Sequence, residues 1–269
     1  MRMKYYVVDV FTDQLFKGNP AGVCVMDRCL QDAQLQNIAR ENNLSETAFL
    51  VRGDGCYHLR WFTPEVEVDL CGHATIASAF VLFRFYERAL SEIRFQTGRG
   101  EMKVSRGADA DALLLDFPSL PAARVPDYPA FRASFGCGNL GAYKALDFMV
   151  VLESEAQVRG LKPDLNALMK VKEEAGLTDD SFGVIVTAPG ADCDFVSRFF
   201  APNAGIAEDP VTGRAHCTLI PHWAGVLGKT KMKARQLSKR TGEIDCELFG
   251  ERVLIGGKAV LYLSGEIFV

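Results

Sequence analysis

The sequence predicts an α+β protein of two pseudo-symmetric halves, each a curled, mostly antiparallel sheet around one central helix. Three observations carry this. First, four of the eleven prolines fall between Pro118 and Pro129, near mid-chain. Proline fixes φ and lacks an amide donor, so 118–129 reads as an extended linker between halves at 1–117 and 130–269. Second, motifs recur across that linker. Phe62-Thr63-Pro64 precedes Gly72-His73-Ala74, Phe200-Ala201-Pro202 precedes Gly213-Arg214-Ala215, and Gly100-Glu101-Met102 returns as Gly242-Glu243-Ile244. Gly72 lies 141 positions before Gly213 and Gly100 lies 142 before Gly242, and a shared offset in a shared order marks an internal duplication. Third, the stretch after Gly72 is apolar nearly all round, as a helix buried on most sides must be.

In chain order, residues 5–11 and 22–26 are β-branched, alternating runs and read as strands. Residues 31–42 carry Leu35, Ile38 and Ala39 at helical spacing, which predicts an amphipathic helix. Strands follow at 47–51 and 57–62. The central helix is expected over 73–86, and a strongly bent sheet is what would cover its apolar circumference. Strands at 102–105 and 112–117 complete the first half. Beyond the linker, 142–153 reads as one strand, 164–175 as the counterpart of the first helix, and 214–227 as the second central helix, with Pro221 predicting a kink. The last stretch, 260–269, either completes the second half or crosses to the first.

Composition excludes several classes. With 48% hydrophobic and 24% charged residues, disorder, collagen and coiled coil are ruled out. The net charge is −4 with no Lys/Arg-rich block, so nucleic acid is not an expected partner. The longest nearly apolar run, 74–83, is far short of a spanning helix, and Asp9 breaks the first apolar run too early for a signal peptide. The expectation is a cytoplasmic protein with no membrane partner. Eight cysteines are scattered without a CxxC pair, so neither a metal site nor a disulfide framework is expected, and most read as small buried hydrophobes in a reduced compartment.

Chemistry is expected where the two central helices begin, at Asp69-Leu70-Cys71-Gly72-His73-Ala74 and at Glu208-Asp209-Pro210-Val211-Thr212-Gly213-Arg214-Ala215. A helix start offers free N–H groups and the positive dipole end, and glycine allows a ligand close to the backbone. Ordinary capping, with Asp209 as N-cap and Pro210 following, fits the same residues. Cys71, His73, Asp209 and Glu46 are the proton donors and acceptors nearby. Gly136-Cys137-Gly138-Asn139-Leu140-Gly141 spells G-x-G-x-x-G but lacks the flanking strand and helix that a dinucleotide site requires. The adjacent pair His216-Cys217 points two ways on a helix and has no third ligand in sight.

Taken together, Asp9-Val10-Phe11 with Gly18-Asn19-Pro20-Ala21-Gly22, Asn43-Leu44-Ser45-Glu46-Thr47, Cys71-Gly72-His73-Ala74-Thr75, and Glu208-Asp209-Pro210-Val211-Thr212-Gly213 closely resemble the phenazine-biosynthesis PhzF-like isomerase/epimerase family. The resemblance covers most of the chain. It implies a diaminopimelate-epimerase-like fold with the active site between the halves, and cofactor-free proton transfer on a small carboxylate-bearing substrate. It implies Glu46 as general acid/base, His73 and Asp209 as its catalytic companions, and Asn19, Gly72 and Gly213 as substrate-binding positions. Relatives of this kind are often homodimers. Desolvation of a carboxylate raises its pKa toward working pH, and donors at the helix starts would stabilise an enolate-like charge. Where the family often has serine, this chain has Arg214, which would clamp a substrate carboxylate or fill the space a bulkier substrate needs. Cys71 stands where related epimerases keep a catalytic thiol and is a secondary candidate. A non-catalytic binding protein on the same fold and a Cys71-dependent racemase are the alternative readings.

Overall fold

The computed structural model describes residues 2–107 and 112–269. The chain forms two compact units, one of Met1–Phe117 with Leu254–Val269 and the other of Pro118–Val253.

The first unit runs β1 (Arg2–Val10), β2 (Asn19–Met26), α1 (Asp32–Asn42), β3 (Glu46–Arg52), β4 (Tyr57–Phe62), β5 (Glu67–Val68), α2 (Gly72–Val81), β6 (Glu92–Thr97), β7 (Gly100–Arg106) and β8 (Ala112–Pro118). The chain's last strand, Arg252–Phe268, returns to it and pairs antiparallel with β1 from Arg2↔Phe268 to Val10↔Ala259, with a bulge at Val7/Val8. It also pairs with β8. Each strand is bonded to the next through β1–β2, β2–β3, β3–β4, β4–β6, β6–β7 and β7–β8, so the sheet closes on itself. The β2–β3 and β4–β6 pairs are parallel and the other four antiparallel, which makes the sheet more mixed than the sequence suggests.

Closure explains α2. Its His73, Ala74, Thr75, Ile76, Ala77, Ser78, Ala79 and Val81 are all buried, and it packs on β1, β2, β3 and β7. Small residues on the helix let the surrounding strands approach, while buried Thr75 and Ser78 return their hydroxyls to the carbonyls of Cys71 and Ala74 at 2.6 and 2.7 Å. The helix expected over 73–86 is therefore real but ends in a π-turn, Leu82–Tyr86, where Glu87 N bonds Leu82 O. On the other face of β1–β4, α1 packs Leu35, Ile38 and Ala39 against Met3, Tyr5, Val7, Phe49 and Phe62. Strand β6 was not foreseen. Its pattern, Glu-Ile-Arg-Phe-Gln-Thr, buries Ile93 and Phe95 and turns charged side chains outward.

The second unit takes in the proline-rich stretch, where β9 (Ala123–Val125) forms and Pro129 starts α3 (Pro129–Phe135). The strand expected over 142–153 is instead a hairpin of β10 (Gly141–Lys144) and β11 (Phe148–Val151). The turn between them is set by Asp147, 1% exposed, whose carboxylate accepts the Gly183 N–H at 2.7 Å. After α4 (Glu155–Gly160), the single helix expected over 164–175 is two short ones, α5 (Leu165–Met169), capped by Asp164, and α6 (Val171–Glu174). Next come β12 (Val184–Pro189), β13 (Phe195–Ala201), β14 (Ile206–Asp209), α7 (Gly213–Leu227), β15 (Lys231–Gln236), β16 (Gly242–Phe249) and β17, the last strand. The β11–β12 pair is parallel, β12–β13 antiparallel, β13–β15 parallel and β15–β16 antiparallel, the order of pairing senses found from β2 to β7 in the first unit.

Helix α7 contains Pro221. A proline inside a helix frees the carbonyl four residues earlier. That carbonyl, on Cys217, accepts the Leu120 N–H at 2.9 Å, so the proline-rich stretch satisfies the polar group that Pro221 leaves exposed. No helix among the described residues is long and apolar enough to cross a membrane.

Candidate active site

Three elements of the first unit converge. β2 opens on Asn19, β3 opens on Glu46, and the turn into α2 carries Cys71 and His73. Because β2 and β3 are parallel with Ala21 opposite Glu46, Asn19 and Glu46 start their strands at the same end of the sheet. Their positions follow from register rather than from any local motif.

His73 is the hub. Its Nε2 lies 3.1 Å from Glu46 Oε2, and its Nδ1 lies 3.6 Å from Cys71 Sγ and 3.3 Å from Asn19 Nδ2. Cys71 is 6% exposed, His73 5% and Asn19 fully buried. The Nε2–Oε2 contact is short but not aligned as a hydrogen bond, and both atoms are buried without another partner among the described residues. Active-site contacts are often poorly aligned until substrate binds. The ring therefore connects a thiol on one side with a carboxylate on the other.

Electrostatics separate the members. Burial would push His73 down, but the negative groups beside it, Cys71 and Glu46, outweigh that and hold it well above the ordinary histidine value. Burial, reinforced by the Glu46 charge, pushes the Cys71 thiol up, against the opposing pull of His73. The ring and the thiol are thus coupled, each drawing the other toward its charged form.

In the second unit, the turn before α7 is built differently from the capping scheme. The N-cap is Thr212, not Asp209, because β14 continues through Asp209 and the helix starts only at Gly213. Asp209 Oδ2 accepts the Thr212 hydroxyl at 2.5 Å. Buried Gln236 on β15 receives the Thr212 N–H at 2.9 Å and donates to the Asp209 carbonyl at 2.9 Å. Nothing in the local pattern of β15 ties Gln236 to residues 27 and 24 positions away, so the sequence carries no local signal for it. Glu208 is held by Arg198 through contacts of 2.7 and 3.0 Å.

Arg214 is engaged within its own unit. One guanidinium nitrogen meets Asp147 Oδ1 at 2.8 Å and the Ser181 carbonyl at 3.1 Å, and the group lies over the Phe199 ring at 5.7 Å. Asp147 carries a raised pKa because burial outweighs the lowering effect of Arg214.

The other motifs are absorbed by the fold. Gly136 ends α3 in the left-handed region and Gly141 opens a strand, so G-x-G-x-x-G leads into no helix. His216 is fully buried and its Nδ1 bonds the Thr212 carbonyl at 2.8 Å, while its ring sits 6.0 Å from that of Phe195. Burial pushes the Cys217 thiol up to about 12. All eight cysteines are free.

The description "phenazine biosynthesis-like protein" belongs to a family model, PhzC-PhzF, that matches residues 8–265. The chain belongs to this family. It is 46% identical over 267 residues to an uncharacterized isomerase of Pseudomonas aeruginosa, covering 99% of each chain. A phenazine biosynthesis-like domain-containing protein of Homo sapiens is 37% identical over 294 residues, again with 99% of each covered. Among solved structures, a PhzF-family protein of Enterococcus faecalis superposes with a TM-score of 0.93 at 45% identity over the whole of both chains. A probable proline racemase of Agrobacterium radiobacter shares the fold at a TM-score of 0.64 and 12% identity, covering 99% of this chain and 92% of that one.

Proposed function

We propose that this PhzF-family protein is an isomerase that moves a carbon-bound proton on a small carboxylate-bearing substrate, with Glu46 as the acid/base. The observation that carries the reading is the misaligned 3.1 Å contact between Glu46 Oε2 and His73 Nε2, two buried polar atoms that a substrate would complete. Membership of the family and the isomerase name of the Pseudomonas aeruginosa relative support it. Glu46 takes the proton from carbon and returns it to another carbon or to the opposite face. His73, held cationic by its neighbours, stabilises the charge that develops beside the substrate carboxylate. The N–H groups at the α2 start, from Gly72, bind the anionic end. Arg214 acts in this reading as a positioning residue for α7, since Asp147 and Ser181 already occupy its guanidinium.

A second reading rests on its own contact. Cys71 Sγ, 3.6 Å from His73 Nδ1, is placed to serve as base in a thiol-dependent racemase, its thiolate favoured by the ring beside it. The two readings separate on any compound the protein exchanges. Under the first, Glu46→Gln lowers the exchange rate by about 10²–10⁴-fold with folding intact, and Cys71→Ala costs less. A larger loss for Cys71→Ala would transfer the base role to the thiol. Tight binding with no exchange in the wild type would identify a binding protein instead.

A further inference from the structure

His73 Nδ1 has two neighbours that suit different protonation states. Cys71 Sγ, at 3.6 Å, accepts from a protonated Nδ1, and the Asn19 amide nitrogen, at 3.3 Å, donates to a bare one. We propose that Asn19 is a positioning residue for His73: its amide takes the Nδ1 lone pair when the ring loses a proton, and so keeps Nε2 turned to Glu46 in both states. The positioning stands on the ring geometry; its consequence for turnover rests on the isomerase reading.

An imidazole turned half a revolution exchanges Nδ1 with Cδ2 and Nε2 with Cε1. Glu46 Oε2, 3.1 Å from Nε2, would then face a carbon edge that offers neither an N–H proton nor a lone pair. What opposes the turn is a partner at Nδ1. The Cys71 sulfur serves the cationic ring, but a thiol is a weak donor, so a neutral ring held by it alone is loosely held. The Asn19 N–H is the stronger donor there. Asn19 and His73 are both buried, so bulk water does not replace a missing bond between them. Register sets the arrangement: with Ala21 opposite Glu46, parallel β2 and β3 bring the amide to one edge of the ring and the carboxylate to the other.

The other strands packed on α2 fit this division. Strand β7 buries Met102 and Val104, and buried Asp9 on β1 accepts the Phe16 N–H at 2.9 Å. The charged groups that act on the ring are Cys71 and Glu46, one at each nitrogen. Asn19, expected from the sequence to bind substrate, thus acts through His73.

The test is long-range ¹H–¹⁵N correlation NMR of the imidazole nitrogens in the full-length reduced protein, titrated from about pH 6 to about pH 10. His73 is assigned by its loss in His73→Gln. His216 is an internal reference for the opposite tautomer, since its Nδ1 donates to the Thr212 carbonyl at 2.8 Å. The neutral His73 ring should carry its proton on Nε2, and in Asn19→Leu the ratio of the Nδ1–H to the Nε2–H form should rise about three- to tenfold. Unmoved His216 and His222 signals establish that this variant is folded. A neutral wild-type ring protonated on Nδ1, a ring that stays cationic throughout, or an unchanged ratio in Asn19→Leu overturns the proposal. Should Asn19→Leu fail to fold, the wild-type tautomer decides. On any compound the protein exchanges, Asn19→Leu should lower kcat about ten- to a hundredfold and leave KM within about threefold. A raised KM with kcat maintained would make Asn19 a substrate ligand and overturn the proposal. The expected tautomers in a protein that exchanges no compound would uphold the positioning and count against the isomerase reading alone.

Discussion

Three of the four histidines show how neighbours assign a protonation state. His73 and His216 are both buried on their central helices, yet they are driven apart. His73 has a carboxylate and a thiol at its ring and is pushed up, while His216 faces the Thr212 carbonyl and the Phe195 ring. Burial lowers His216 from 6.5 to about 4, and His222, half-buried on α7, is lowered by burial too. The sign for stability follows for His216. Its depressed folded pKa means that the unfolded chain binds a proton that the folded chain refuses, so stability is full above pH 6.5 and is lost as pH falls toward 4. The loss is on the order of 3 kcal/mol across that window. Urea unfolding at pH 7 and pH 5 measures it: the wild type should lose more stability between the two than His216→Gln, which has nothing to titrate there. Equal losses would mean that the ring is not held neutral.

At the scale of elements, α2 was legible because its composition admits one solution. Ten residues without a polar face need a wall on every side, and the closed sheet provides it. Ile76, fully buried at its centre, should cost about 2–5 kcal/mol as Ile76→Ala, read as a fall in the urea midpoint with unchanged slope. Strand β4, Tyr57–Phe62, matches the sequence expectation to the residue, since Tyr57, Leu59 and Trp61 alternate with polar His58 and Arg60. Elements whose form depends on distant partners were not legible. Residues 142–153 are uniformly strand-like, and what breaks them is Asp147, drawn into the core by Gly183 and Arg214, 36 and 67 positions away. The candidate site divides the same way. Glu46, Cys71 and His73 carry recognisable chemistry in the sequence, whereas Gln236 holds the Asp209 turn from another strand, and only pairing β13 with β15 brings it there.

For the whole molecule, the sequence left the destination of 260–269 open because strand pairing is non-local. The structure gives this segment to the first unit, where it closes the sheet between β1 and β8. A chain ending at Val253 would leave β1 and β8 with unpaired edges. Hydrogen exchange should then show lost protection throughout β1 and β8, or the chain should aggregate; native-like protection of β1 would contradict the closed circuit. That circuit fixes β2 and β3 in register and encloses α2, so it also holds Asn19, Glu46, Cys71 and His73 in place.

On the proposed function, this arrangement moves a proton on and off carbon. Incubation of the protein in D₂O with pooled small carboxylic and amino acids, followed by NMR, tests it most directly. Deuterium should enter one compound at a carbon beside its carboxylate with the wild type and fail to enter with folded Glu46→Gln. Incorporation that proceeds undiminished in folded Glu46→Gln would contradict the account.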